Sequence, residues 1–226
     1  MPTNRRVVEK SDADAYATPL WATQLFLDQE KFDGPIWECC AGAGNISAVL
    51  LNNGYTVYSS DLHTYNRIQE LPVDHVIQSN TDALQINSQI DNIITNPPYS
   101  QAEEFVSMCL ENATKKFALL LRLAFLEGSK RYDELFRPDP PTRVYVYSDR
   151  VSMYPFGDDR KAGGTTAYAW YVWDMQDEAE HTEIKWLYYD PLKEHKFERL
   201  KRTRKKKEQV VRVAKKRVKR LDGVEL

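Results

Sequence analysis

The chain has 226 residues, and its 42% hydrophobic content is enough for one globular domain with a sizeable core. Its 3 cysteines and 4 histidines lack the spacing of a disulfide framework or a zinc site, and no apolar run approaches membrane-spanning length, so we expect a cytoplasmic chain without a metal. The net charge of −2 conceals a division between residues 1–190, at −12, and residues 191–226, at +10. This division predicts an acidic domain followed by a basic tail, helical or disordered, through which the protein binds a polyanionic partner.

Strands and helices alternate along most of the chain. Apolar runs predict strands at 36–39, 55–59, 73–77, 92–95, 117–121, 143–147 and 167–173. Helix periodicity, with proline at a start and glycine at an end, predicts helices at 20–28, 45–52, 102–112 and 129–136. Because this alternation is typical of βαβ units, the predicted fold class is α/β, with a mostly parallel, doubly wound sheet and helices on both faces.

Two glycines follow the first predicted strand, in the run Ala41-Gly42-Ala43-Gly44. Glycine permits a sharp turn and lets a cofactor come close, but Ser47 replaces the third glycine of a dinucleotide-binding loop. The loop therefore favours an adenosine-bearing cofactor over NAD, although a tight turn without a ligand has the same pattern. Asp61, ending the second strand, is placed to accept hydrogen bonds from ribose hydroxyls, and Asp82, after the third, from an adenine amine. An exposed loop acid is the alternative for each.

The run Asn96-Pro97-Pro98-Tyr99 directly follows the fourth predicted strand, at the sheet edge where α/β folds bind ligands. An aromatic amine is a poor nucleophile because its lone pair is delocalised into the ring. The amide oxygen of Asn96 and the carbonyl of Pro97 can accept its N–H groups and draw that lone pair back, while Tyr99 stacks on the ring. The run predicts methylation of an amine on a planar ring, and an ordinary proline turn is the alternative.

This run resembles motif IV of the S-adenosylmethionine-dependent amino-methyltransferases, in particular the small phage-type N6-adenine DNA methyltransferases, over about residues 15–175. Residues 38–44 resemble motif I of that family, and Thr18-Pro19 resembles its motif X. The resemblance implies a Rossmann-like sheet of seven strands, the last antiparallel, in a protein of the bacterial or phage-infected cytoplasm. It also implies S-adenosylmethionine bound by Thr18, Pro19, Glu38, Ala41, Gly42, Gly44, Asp61 and Asp82, and catalysis by Asn96, Pro97, Pro98 and Tyr99.

DNA is the partner that the resemblance implies. A base in a duplex must be flipped out, or taken from a single strand, to reach such a site. In the aromatic and basic loop 153–164, Tyr154 and Phe156 are candidates to stack on the base, and Arg160 and Lys161 are candidates to hold phosphate. An ordinary surface loop is the alternative.

Arg122 and Arg131 are further candidates for a phosphate contact, whereas the aromatic side chains of 167–173 are expected in the core. Methylation of an RNA adenine or guanine amine stays open, because a small domain with a basic tail suits structured RNA. Glutamine methylation of protein is disfavoured, because only residues 1–35 precede the first strand. A retired methyltransferase that only binds nucleic acid is the non-enzymatic alternative. Cytosine C5 methylation needs a cysteine where this chain has Tyr99.

Overall fold

The computed structural model describes residues 16–155, 166–177 and 181–190. In that part of the chain the strands are β1 (Tyr16–Ala17), β2 (Ile36–Glu38), β3 (Val57–Ser60), β4 (Ile77–Gln78), β5 (Ile90–Thr95), β6 (Ala113–Arg122), β7 (Arg143–Tyr147), β8 (Tyr154–Pro155), β9 (Tyr168–Asp174) and β10 (Glu183–Leu187). The helices are α1 (Leu20–Gln29), α2 (Asn45–Asn52), α3 (Ala102–Asn112) and α4 (Ser129–Arg131), which continues as a π-helical turn over Tyr132–Phe136. Short 3-10 turns occupy Ala83–Gln85, Tyr99–Gln101 and Leu123–Leu126.

Eight of these strands form one sheet in the order β10-β7-β9-β6-β5-β2-β3-β4. Every neighbouring pair is parallel except the two that involve β9, which runs antiparallel to both β6 and β7. The chain therefore fills one edge through β2, β3 and β4 and then returns to place β5 on the other side of β2. Ligands bind at such a reversal, outside the carboxyl ends of the two central strands.

The predicted fold class is confirmed: the chain has an α/β, Rossmann-like sheet that is mostly parallel, and its seventh predicted strand is antiparallel. Helices cover both faces. On one face, Phe26 of α1 stacks on Trp170 of β9, with 4.5 Å between ring centroids. On the other, Phe105 of α3 packs in a cluster with Phe117 of β6 and Trp173 of β9. Buried on both faces, β9 confirms that the aromatic run 167–173 belongs to the core.

The structure differs from the prediction at both edges of the sheet. The third predicted strand, 73–77, is reduced to β4, because a turn closed by a hydrogen bond from the His75 N–H to the Pro72 carbonyl (3.1 Å) occupies the preceding residues. Val73 is 90% exposed as a result. At the opposite edge, β10 is an eighth strand that was not predicted, and it pairs in parallel with β7.

The chain divides into two units between Tyr189 and Asp190. Of the second unit only Asp190 is described, so the predicted domain of residues 1–190 and the basic tail of residues 191–226 stay predictions. Within the described ranges, no helix has both the length and the apolar character needed to cross a bilayer. Within the same ranges, no three His, Cys, Asp or Glu side chains cluster as metal ligands do.

Candidate active site

A cavity of about 340 Å³ opens where the strand order reverses, between the glycine loop that follows β2 and the proline turn that follows β5. Five of the residues predicted from the sequence line it: Gly42, Asp61, Asp82, Asn96 and Pro98. The carboxyl ends of parallel strands meet at one edge, and this geometry brings the two motifs together although they are more than 50 residues apart in sequence. The cavity therefore joins the predicted cofactor loop to the predicted catalytic turn.

Asp61 ties the end of β3 to the glycine loop. Its Oδ2 accepts a hydrogen bond from the Gly42 N–H at 2.7 Å, and its Oδ1 accepts one from the His63 N–H at 2.9 Å. A carboxylate has about four acceptor positions, so these two bonds leave Asp61 able to accept from a ligand hydroxyl. Asp82 caps a 3-10 turn by accepting from the Leu84 N–H at 3.1 Å, and it also faces the cavity.

Gly44 does not line the cavity, although the sequence predicted it as a cofactor contact. Its φ of 91° lies in the left-handed region, and an added Cβ would lie 2.7 Å from Leu71 Cδ2. The absence of a side chain at Gly44 therefore leaves space for Leu71, in the segment between β3 and β4. Independently of this contact, the left-handed φ at the start of α2 favours glycine.

Gly44→Ala should lower the free energy of unfolding by about 2–4 kcal/mol, because alanine is strained at this φ and its Cβ meets Leu71. Gly54→Ala is a matched control, since Gly54 has a φ of 88° and nothing within 4 Å of an added Cβ. Urea unfolding of both variants separates backbone strain from the contact. Equal losses of stability in the two variants would show that the approach to Leu71 has no cost.

The Glu38 carboxyl also turns away from the cavity. It is 1% exposed and accepts a hydrogen bond from the Ser47 hydroxyl, which lies 2.5 Å from the Ser59 hydroxyl. Ser59 in turn lies 2.8 Å from His75 Nε2, so a chain of polar groups runs from Glu38 towards the surface. Burial raises the pKa of Glu38 to about 8, so the carboxyl is mostly protonated at neutral pH. The Glu38 carboxyl therefore lies outside the cavity lining, hydrogen-bonded to Ser47.

Three other predicted cofactor contacts also lie outside the cavity lining. The Ala41 N–H donates to the Ser60 carbonyl at 3.0 Å, which fastens the glycine loop to β3. Pro19 directly precedes α1, with a φ of −59° and an extended ψ of 136°. Thr18 is 3% exposed and hydrogen-bonds the amide of Asn96.

The Asn96 amide is held through its nitrogen. Nδ2 donates to Thr18 Oγ1 at 3.1 Å and lies 3.4 Å from the Tyr16 carbonyl oxygen. Because a carbonyl only accepts, the nitrogen must be the atom that faces Tyr16. Oδ1 points the other way, is shielded from solvent and has no hydrogen-bond partner among the described residues. An unpaired buried acceptor costs about 1–3 kcal/mol, so this oxygen is left available for a donor at some stability cost.

Tyr99 lies outside the cavity lining, in a cluster of aromatic rings that includes Tyr16, which does line the cavity. Its ring centroid is 6.4 Å from that of Tyr16, at an interplanar angle of 19°, and 5.6 Å from that of Tyr168. The Arg122 guanidinium lies over the ring, 4.9 Å from its centroid. The Tyr99 hydroxyl is buried beside the Tyr168 and Asn96 side chains, without a hydrogen bond of ordinary geometry among the described residues, and burial raises its pKa well above the usual value. Pro97 is buried, and together with Pro98 it stiffens the turn that carries this ring.

The predicted nucleic-acid loop begins beside this cluster. Strand β8 pairs with β1 in a two-stranded antiparallel sheet, with Tyr154 opposite Ala17 and Pro155 opposite Tyr16. Phe156, Arg160 and Lys161 lie outside the described residues, so their predicted contacts stay predictions, as does that of the Tyr154 side chain.

The two lesser arginine candidates differ in their surroundings. The Arg131 guanidinium pairs with Glu103 at 2.9 Å and donates to the carbonyls of Phe125 and Glu127, so it is committed to the fold. Arg122 is exposed and forms no ion pair with any described residue. Of the two arginines, Arg122 is therefore the one whose guanidinium is available to bind a phosphate.

Several residues of the cavity were not predicted. Leu62, 50% exposed directly after Asp61, faces it together with Phe105 of α3 and Leu84, and these side chains form an apolar wall. Tyr16, His63 and Tyr65 also line it. An apolar residue immediately after a strand-end acid is a signal that could have identified Leu62, whereas Phe105 has the helical spacing of an ordinary core residue.

No protein-family model matches the sequence, and no curated protein matches it. Among solved structures, a proposed hemolysin from Lactococcus lactis is similar over 75% of this chain and 90% of its own, at 12% identity and TM-score 0.49. An S-adenosylmethionine-dependent O-methyltransferase from Thermotoga maritima is similar over 71% of this chain and 66% of its own, at 13% identity and TM-score 0.42. A glycopeptide N-methyltransferase complexed with S-adenosylmethionine is similar over 56% of this chain and 64% of its own, at 18% identity and TM-score 0.39. These TM-scores lie below 0.5, so the chain is only distantly similar to such proteins, and the similarity bears on neither substrate nor partner.

Proposed function

We propose that the chain transfers a methyl group from S-adenosylmethionine to the exocyclic N6 amine of adenine in DNA, on a flipped-out or single-stranded base. One observation carries this proposal: the unpartnered Oδ1 of Asn96 belongs to a residue that lines the same cavity as Asp61 and Asp82. An acceptor without a partner, beside carboxylates at strand ends, suits an amine substrate next to a nucleoside cofactor.

The residues of the cavity fit S-adenosylmethionine, which supplies a methyl group on a positively charged sulfur. Asp61 retains acceptor capacity for ribose hydroxyls, and Asp82 for an adenine amine. Leu62 and Phe105 offer apolar surface to a planar base. The volume of about 340 Å³ lies within the usual range of about 300–1,000 Å³ for small-molecule sites.

The turn after β5 suits the acceptor amine. When the target N–H donates to Asn96 Oδ1, the nitrogen lone pair is drawn out of the ring and becomes more nucleophilic. Methyl transfer would break the sulfur–methyl bond of the donor, and the acidic proton of the methylated nitrogen would then leave to water, so no strong general base is required. The Tyr99 ring, on the first residue of the 3-10 turn that follows the two prolines, offers a surface on which a planar base can stack. Stacking and the hydrogen bond together would orient the amine towards a methyl donor in the adjoining part of the cavity.

The test is incubation with radiolabelled S-adenosylmethionine and, separately, single-stranded DNA, duplex DNA, RNA and protein, with cofactor affinity measured by calorimetry. We expect label in DNA, recovered as N6-methyladenine. Label in RNA alone would transfer the proposal to an RNA amine, and label in protein alone would indicate glutamine. If the cofactor binds and no acceptor is labelled, the chain is a nucleic-acid-binding protein that lacks this activity.

Arg122→Ala should raise KM for the nucleic acid and reduce the slope of log K against log salt by about 0.7–0.9, the value of one phosphate contact. The reason is that Arg122 is exposed and unpaired within the described residues, beside Tyr99. Arg137→Ala is the control, because that exposed arginine is paired with Asp133 one helical turn away. An unchanged salt slope in Arg122→Ala would remove Arg122 from the nucleic-acid interface.

A further inference from the structure

The Asn96 side-chain amide can adopt two orientations, and only one of them leaves Oδ1 free to accept a hydrogen bond from a target amine. Rotation of an amide by 180° about its last torsion exchanges oxygen and nitrogen with little change of shape. In the observed orientation both Nδ2 hydrogens face acceptors, Thr18 Oγ1 at 3.1 Å and the Tyr16 carbonyl at 3.4 Å. In the exchanged orientation Oδ1 would face the Tyr16 carbonyl with no proton between them. The groups around Nδ2 therefore decide where Oδ1 points.

Thr18 is well placed to hold this orientation. It is 3% exposed and does not line the cavity, so its hydroxyl is not offered to a ligand in this structure. Its carbonyl accepts from Asn45 Nδ2 at 3.1 Å, at the first residue of α2. Thr18 thus joins the turn after β5 to the end of the glycine loop, and β1, immediately before it, is fixed by its pairing with β8.

We propose that Thr18 is a positioning residue for Asn96: its hydroxyl, with the Tyr16 carbonyl, holds the amide nitrogen so that Oδ1 stays free to accept from the target amine. The effect on turnover rests on the proposed function, whereas the orientation of the amide does not. This role differs from the cofactor contact that the sequence predicted for Thr18. It connects two motifs whose residues lie 78 positions apart in the chain.

The turnover test compares Thr18→Val, which keeps the shape and loses the hydroxyl, with Thr18→Ser, which keeps the hydroxyl. Thr114→Val is the control, because Thr114 is exposed on β6. We expect kcat of Thr18→Val to fall about 10- to 100-fold, with KM and Kd for S-adenosylmethionine within about twofold of wild type, and Thr18→Ser to recover most of kcat. Unchanged kcat in Thr18→Val would overturn the proposal, and so would a loss confined to cofactor affinity, which would make Thr18 a cofactor contact.

A second measurement does not depend on activity. The side-chain amide signals of Asn96 in 15N–1H spectra, assigned by their loss in Asn96→Asp, report how firmly the Nδ2 hydrogens are held. We expect their exchange with solvent to quicken about tenfold in Thr18→Val and to stay slow in Thr18→Ser. Unchanged exchange overturns the proposal even if Thr18→Val is poorly active. Faster exchange in a protein that methylates no acceptor would retain the orienting role and reject the proposed function alone.

Discussion

Replacing Asn96 with alanine should reduce kcat for methyl transfer by about 10³-fold while leaving the affinity for S-adenosylmethionine within about threefold of wild type. The variant loses the unpartnered Oδ1, which is the acceptor proposed for the target amine. Removing one group that stabilises developing charge at a reacting centre costs about 10²–10³ in rate, and alanine also removes the group that orients the amine. The Asp61 and Asp82 carboxylates, proposed for the cofactor, are untouched.

Asn87→Ala is the matched control for this experiment, because Asn87 is exposed and lines no part of the cavity. Asn96→Asp adds a second comparison: it keeps an acceptor but replaces the donor that faces the Tyr16 carbonyl with a second oxygen. We therefore expect Asn96→Asp to be nearly as inactive as Asn96→Ala. Wild-type turnover in Asn96→Ala would reject the assignment of the catalytic turn, and joint loss of turnover, cofactor affinity and melting temperature would indicate misfolding.

The central elements were predictable because their sequences satisfy several local requirements at once. The α2 and α3 bounds agree with prediction, since glycine precedes the first and a proline turn precedes the second. Strands β5 and β6 read as apolar runs because they are covered on both faces. The edge strands fail this test: β10 carries Glu183 and Lys185, and Ile184 and Trp186 are at least half exposed, so it has no apolar run to detect.

Sequence could indicate which loops meet at the site but not where each side chain points. Glu38 and Asp61 both stand at the carboxyl end of a central strand, or one residue beyond it, and both looked like cofactor contacts. The structure turns Glu38 towards Ser47 under the glycine loop and Asp61 towards the cavity. Glu38 lies within β2, opposite Ser59 of β3, whereas Asp61 lies beyond the end of β3, so the loop backbone and not strand alternation sets the direction of the Asp61 side chain. The contact of Thr18 with Asn96 is a tertiary one that no local pattern reveals.

The buried carboxyl of Glu38 gives the folded chain a specific dependence on pH. Burial raises the pKa of Glu38 from 4.5 to about 8, so between these values the folded state holds one proton that the unfolded state has released. The free energy of unfolding must then fall as pH rises through this window, at about 1.4 kcal/mol per pH unit for this group, and level off above pH 8. His75, at the far end of the same polar chain, acts in the opposite direction, because burial lowers its pKa and favours the folded state as the histidine loses its proton.

Glu38→Gln should isolate the carboxyl, because glutamine is uncharged at every pH, matches the protonated carboxyl in shape and can still accept from Ser47. We expect this variant to be more stable than wild type at pH 9 by on the order of 3–5 kcal/mol, with little difference at pH 4.5. Urea unfolding at half-unit steps of pH measures the difference in stability between Glu38→Gln and wild type, and Glu111→Gln, at an exposed position at the end of α3, is the control.

A difference in stability that does not change with pH would mean that Glu38 is ionised in its buried position, where only a neighbouring positive charge or a polar ligand could stabilise it. If Glu38→Gln binds the cofactor with wild-type affinity, Glu38 has a structural role under the glycine loop. A large loss of affinity would show that Glu38 contacts the cofactor.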